Sequence, residues 1–273
     1  MHELFMTAIV SDRDAVTARG ILEGFCSMAE VHTITRVLFY QGPEHAAGFK
    51  TNRGTDKTPI GRAWNDLNQF LNKQSFILQA RYALQPDDFQ SSSQSTPAPS
   101  NNLDRRLGTL RWNDIADPLP RGVFHTQRRM LEIRHQDHLP TILAQNKHEF
   151  KSECIQESYL WHRNGIEFSL ERRYQLPEDA SGEPKAPRAV LPPVSELVPL
   201  DTSWVLHMRA FVPDRSPERT HEAVETMMAL RYHLRRIFDF KQFDRRVFDT
   251  RVMGPPSSNM PLPLPQHVTI NQV

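Results

Sequence analysis

Between its long polar loops this chain repeats with a period of two, and that rhythm is the signature of strands. "VHTITRVLFYQ" (31–41) and "SFILQARYAL" (75–84) are rich in the β-branched and aromatic residues that strands prefer. In the second, Phe76, Leu78, Ala80, Tyr82 and Leu84 share one face, while Ser75, Gln79 and Arg81 share the other. "SWVLHMRAFV" (203–212) sets Trp204, Leu206, Met208 and Ala210 on one side. Residues 154–176, "CIQESYLWHRNGIEFSLERRYQL", form the clearest hairpin, because Asn164-Gly165 supplies the positive φ values of a two-residue turn. Its second arm alternates Ile166, Phe168 and Leu170 with Glu167, Ser169, Glu171 and Arg173.

Helical spacing is rarer. "SDRDAVTARGILEGFCSM" opens on a Ser/Asp cap with Asp14 in the first turn, followed by a stripe of Ala15, Ala18, Leu22 and Phe25. A second helix is predicted from Ser216 as cap and Pro217 at its first position, with Ala223, Met227, Leu230, Leu234 and Ile237 on one stripe. Shorter helices are expected at "AWNDLNQFLNK" and "LPTILAQN". Many alternating strands and few helices place the chain in the α+β class, on a large antiparallel sheet. Eight or more twisted strands tend to curl or close, so the expected architecture is a β-barrel with a few flanking helices.

The chain has 273 residues, enough for one large domain or two small ones. Its loops are long: 85–106 is Ser/Pro/Gln-rich and reads as a disordered insertion, and 177–203 holds six prolines and reads as an extended linker or loop. A third loop is expected at about 42–62, and the tail at 254–273 also reads as disordered, leaving a single domain over 1–253. Two cysteines, Cys26 and Cys154, form no metal spacing and no disulfide framework, the pattern of reduced thiols. The apolar start is interrupted at Glu3 and ends at Asp12, and no segment reaches the roughly eighteen apolar residues of a membrane span, so a soluble intracellular protein is expected.

The chemistry-bearing patterns are thin. With 33 Lys+Arg against 32 Asp+Glu, the chain has no long-range field to gather phosphates, so nucleic acid is not expected as a specific partner. There is no Gly-x4-Gly-Lys loop, G-x-S-x-G elbow or H-E-x-x-H pair. Of twelve histidines the nearest grouping is His125, His135 and His138, which lacks an i,i+4 pair and reads as loop or strand-face residues. Asp12 and Asp14, the one D-x-D pair, are assigned to capping. Basic clusters at Arg128-Arg129, Arg172-Arg173, Arg231 to Arg236 and Arg245-Arg246 have acids beside them. They read as solvated, locally paired faces, with a phosphate-binding surface as the sharper alternative.

Several blocks are more specific than any of these patterns. "MHELFMTA" at the start, "ITRVLFYQGP" (34–43), "QSFILQARY" (74–82), "LRWND" with Pro118, "TQRRMLEI" (126–133), "WVLHMRAFV" and "IFDFKQFDRRVFDTRV" follow one another in order. Together they resemble the Mediator subunit 18 family in its filamentous-fungal form, from Met1 to about Val252 and interrupted at the loops. The resemblance implies a nuclear, non-enzymatic subunit of the Mediator head module, a transcription coactivator folded as an antiparallel barrel with flanking helices. It implies pairing with Mediator subunit 20, docking of a C-terminal helix from Mediator subunit 8, contact with other head subunits and RNA polymerase II, and no cofactor.

That barrel is similar to the tunnel of fungal RNA triphosphatases, which raises an enzymatic alternative. Those enzymes need Glu-x-Glu on strands, so that alternation sends both carboxylates to one metal. No Glu here has a partner two residues away; Glu153 and Glu157 are four apart, as are Glu167 and Glu171, about 13 Å along a strand. No metal site is therefore expected. An interaction subunit would use aromatic anchors, and Phe240, Phe243 and Phe248 are the partner-binding candidates. The run that holds them, Arg235 to Val252, is expected to finish a helix, turn, and become a strand from about Phe243, with Arg246, Phe248, Thr250 and Val252 on one face.

Overall fold

Asn164 and Gly165 take φ values of 51° and 75°, the left-handed pair that a tight hairpin turn requires. They join β6 (Glu149–Arg163) to β7 (Ile166–Gln175), paired antiparallel from Arg163↔Ile166 to Cys154↔Gln175. The computed structural model describes residues 1–54, 57–90, 102–118, 123–177, 186–213, 216–241 and 243–252. Its other strands are β1 (His2–Ser11), β2 (Val31–Gln41), β3 (Ile77–Leu84), β4 (Gly108–Asn113), β5 (Thr126–Gln136), β8 (Val198–Pro199) and β9 (Ser203–Val212). Around the ring the order is β6-β2-β3-β4-β5-β1-β9-β7, and the β6–β7 hairpin closes it. This is a closed eight-stranded antiparallel barrel, with β8 added beside the end of β7 at Tyr174 and Gln175. Closure pairs every long strand on both sides and removes the exposed edges that invite aggregation.

Four helices flank the ring: α1 (Ala15–Cys26), α2 (Pro59–Leu71), α3 (Leu139–Gln145) and α4 (Pro217–Leu234). The apolar faces of the strands point outward to meet them. Leu4, Met6 and Ala8 of β1, Phe168 and Leu170 of β7, and Leu206 and Met208 of β9 are buried with Leu22 of α1 and Met227, Leu230 and Leu234 of α4. Leu38, Leu78, Ala80, Tyr82, Leu110 and Trp112 form a second core with Trp64 and Leu67 of α2 and Leu139 and Leu143 of α3. The hydrophobic core therefore lies between barrel and helices, and the polar strand faces are left to line the inside.

Several local expectations change. α2 begins at Pro59, inside the expected loop, because the Thr58 hydroxyl accepts a hydrogen bond from Gly61 N at 3.1 Å and Pro59 suits the first turn. Neither Ser11 nor Ser216 caps its helix through the side chain. Asp12 instead accepts from Arg172 Nη1 at 2.6 Å and from the Trp204 indole at 3.1 Å, tying the start of α1 to β7 and β9. The α4 stripe ends at Leu234; Ile237 is 51% exposed, because the chain leaves the helix and buries Phe238 and Phe240 instead.

The long loops are packed where they are described. Leu103 joins the α2–α3 core, and Arg106 forms an ion pair with Asp88 at 2.7 Å. Leu191 is buried with Phe89, Ile155 and Leu176, and Gln90 N donates to its carbonyl. Residues 91–101, 178–185 and 253–273, which carry most of the expected insertion, part of the Pro-rich stretch and the tail, lie outside the described residues.

Candidate functional site in the barrel lumen

All eight strands of the ring contribute to a central cavity of about 250 Å³. Its wall holds Glu3 and Phe5 of β1, Phe39 of β2, Gln79 and Arg81 of β3, Arg111 of β4, Arg128 of β5, Gln156 of β6, Glu171 and Arg173 of β7, and His207 and Arg209 of β9. The same alternation that turns Leu78 and Ala80 out toward the helices turns Gln79 and Arg81 in. It also splits the adjacent arginine pairs. Arg128 enters the lumen while Arg129 lies over the Phe70 ring; Arg173 enters while Arg172 pairs with Asp12. Arg128 and Arg129 are thus half-buried instead of forming the solvated face expected from sequence, because ring closure gives their strand an interior, whereas Arg173 stays exposed and Arg172 is locally paired, as expected.

Inside, carboxylates and guanidiniums pair across strands. Glu3 meets Arg128 at 2.5 Å and Arg209 at 3.4 Å; Glu171 accepts from Arg209 at 2.6 Å and from the Ser169 hydroxyl at 2.8 Å. Burial alone would push both carboxyls up, but Arg128 and Arg209 at Glu3, and Arg209 and His207 at Glu171, hold them below the usual range. Glu132 is likewise lowered, its burial outweighed by Arg111 and Arg134. Where Glu3 and Glu171 converge, the group between them is the Arg209 guanidinium. Glu153 and Glu157 face outward instead: Glu153 binds the wholly buried Arg36 at 2.5 Å, and Glu157 accepts from Tyr159 and Tyr174. Among the described residues no three His, Cys, Asp or Glu side chains are grouped to hold a metal ion. His125 and His135 stand at opposite ends of β5, about 30 Å apart at the rise of a strand.

The C-terminal run closes one mouth of this cavity and does not form the expected strand. Lys241 N donates to Thr7 O at 2.9 Å beside β1. Asp244 caps a single 3-10 turn over Arg245–Phe248, accepting from Arg246 N at 2.9 Å. Beyond it, Thr250 O accepts from Ile77 N at 2.6 Å, the Thr250 hydroxyl donates to Asn113 O, and Val252 N donates to Ser75 O. A closed ring has no free edge to accept another full strand, so the segment crosses the barrel end and bonds to strand termini. Phe240 is buried in the α1–α4 core, edge-on to Phe238. Phe248 meets Phe5 edge-on at 5.0 Å, and with Val247 it separates the central cavity from a second hollow of about 300 Å³ that Phe243 also lines. Sequence reasoning singled out the phenylalanines but missed the lumen set, whose members are scattered over more than 200 residues.

Comparison with known proteins agrees with this architecture. The family described as Med18 protein matches residues 2–251. Curated Mediator of RNA polymerase II transcription subunit 18 proteins from Aspergillus fumigatus and Neosartorya fischeri are each 23% identical over 270 residues, spanning 92% of this chain and 99% of theirs. A chain in the solved Schizosaccharomyces pombe Mediator head module has the same fold, with a TM-score of 0.60 at 11% identity, covering 89% of this chain and 99% of that one. A barrel with outward-facing cores, the C-terminal closure, and a family match over nearly its whole described length lead to one conclusion: the chain belongs to the Med18 family of Mediator subunits.

Proposed function

We propose that the protein is a non-catalytic structural subunit of the nuclear Mediator head module, acting as a coactivator that links regulators to RNA polymerase II. The observation that carries this reading is the match over residues 2–251, together with a barrel fold shared with a chain of the Schizosaccharomyces pombe head module. The lumen chemistry supports the absence of catalysis: its convergent carboxylates, Glu3 and Glu171, are engaged by Arg209. In this reading the barrel pairs with Mediator subunit 20 and receives a C-terminal helix of Mediator subunit 8. Phe243 and Phe248, half-buried at the mouth, are contact candidates, and Phe240 supports them from the core.

Co-expression with subunits 20 and 8 tests the proposal. A stable three-chain complex through affinity capture and size exclusion is the expected result. Recovery of free monomer under conditions where the other two subunits are soluble would refute the assigned partners.

A further inference from the structure

The charges of the lumen do not balance. Five arginines but only two carboxylates line the central cavity. The neighbouring carboxylates are already engaged: Glu3 by Arg128 and Arg209, Glu171 by Arg209, and Glu132 by Arg111 and Arg134. Arg81 and Arg173 remain. Among the described residues neither makes an ion pair, and Arg81 Nη1 donates only to the amide oxygens of Gln79 at 3.3 Å and Gln156 at 3.5 Å. Gln156 is the cross-strand partner of Arg173, so the two cations stand on either side of one glutamine. Burial first, and Arg111 second, push the Arg81 guanidinium down to about 9, a large displacement for a group that ordinarily stays charged throughout the accessible pH range. Glu171 and Glu132 oppose that displacement from a distance without pairing with Arg81, and the neighbouring Arg173 is exposed. A half-buried cation with no carboxylate in ion-pair contact is a poor element of stability and a good element of recognition.

We propose that the lumen is an anion site in which Arg81 of β3 and Arg173 of β7 hold a small phosphate-bearing ligand. Guanidinium forks match the spacing of phosphate oxygens and bind them with two parallel hydrogen bonds. The size of the cavity, about 250 Å³, falls just below the range of about 300–1,000 Å³ typical of small-molecule pockets, which suits an ion of the size of pyrophosphate. Val247 and Phe248 roof it on the side of the C-terminal segment, limiting what can extend from the bound group. The near-zero charge of the whole chain does not argue against such a site, because the excess is local.

The test is calorimetric titration of the purified chain with inorganic pyrophosphate at low salt, with ADP as the nucleotide-borne source of the same group. One-to-one binding of pyrophosphate is expected. The double substitution Arg81→Gln, Arg173→Gln should weaken it at least tenfold, while Arg13→Gln, at an 88% exposed side chain, should change it less than twofold. Because the two arginines lack carboxylate partners, the double variant should melt no lower than wild type without ligand. The single Arg173→Gln variant, expected to lose at least fivefold, serves if the double one does not fold. ADP binding as tightly as pyrophosphate would identify a nucleotide-borne phosphate as the ligand, and ADP exclusion a free anion. No saturable binding to wild type, or equal binding by the arginine variants, would overturn the proposal.

Discussion

Acidification from pH 7 to pH 5 should destabilise this barrel through one buried histidine. His207 of β9 faces the lumen, with Nδ1 3.2 Å from the Thr7 hydroxyl and Nε2 3.9 Å from Glu171. Burial and then Arg209 hold it neutral, down to about 3, with Arg128 acting in the same direction and Glu171 and Glu3 opposing. In the unfolded chain an imidazole titrates near its ordinary value of about 6.5. Between those two values the unfolded state binds one proton that the folded state does not, so stability falls as pH falls, starting near 6.5. One proton corresponds to about 1.4 kcal/mol per pH unit once well below 6.5, and integrating from pH 7 to 5 gives a loss of about 2 kcal/mol. Glu171 does not contribute in this window, because its lowered carboxyl withdraws stability only as pH falls below the unfolded carboxylate range, about 4.3. Urea unfolding of wild type and His207→Gln at pH 7, 6 and 5 measures the effect. His125 and His148, both pushed down by burial, steepen the profile of each protein alike, so the difference isolates His207. The variant should lose about 2 kcal/mol less than wild type over this range, with unchanged m-values. Parallel profiles would mean that His207 accepts a proton in the fold without penalty, refuting the electrostatic account of the lumen.

Two further outcomes follow from the buried contacts. Glu153→Gln leaves the fully enclosed Arg36 without its carboxylate and loosens the bond from Arg188 N to Glu153, so unfolding free energy should drop by about 3–5 kcal/mol and 186–203 should become sensitive to limited proteolysis; resistance equal to wild type would show that this pair does not fasten the segment. Phe248→Ala removes the edge-on contact with Phe5, worth about 1 kcal/mol beyond its buried area, and should speed hydrogen exchange at Ile77 and Val252, whose amides bond to Thr250 O and Ser75 O; unchanged exchange there would mean that the backbone bonds alone hold the closure.

Much of the architecture was readable because its causes are local. Asn164-Gly165 turns where a left-handed pair is needed, Pro217 starts α4, and Met227, Leu230 and Leu234 are buried at helical spacing. The block order from "MHELFMTA" to "FDTRV" carried the family. The C-terminal run shows where local reading fails. Asp244 and Thr250 do not follow a strand pattern but a capped turn and a pair of bonds to strand ends, and nothing within the run reveals that the sheet beside it has no free edge.

The sequence by itself determined the elements and the sorting of side chains onto two faces, since a period of two states only that Leu78 and Gln79 point apart. The tertiary structure decided what each face meets. Closing β6 onto both β2 and β7 made one set of faces an interior, where the β1–β5 pairing joins Glu3 to Arg128 across 125 residues, and on the outer face the β2–β6 pairing joins Arg36 to Glu153 across 117. The same closure left Arg81 and Arg173 facing each other's charge. Charge counted along a chain is averaged over solvent, whereas charge gathered inside a ring is not, and that difference made the lumen legible only in three dimensions.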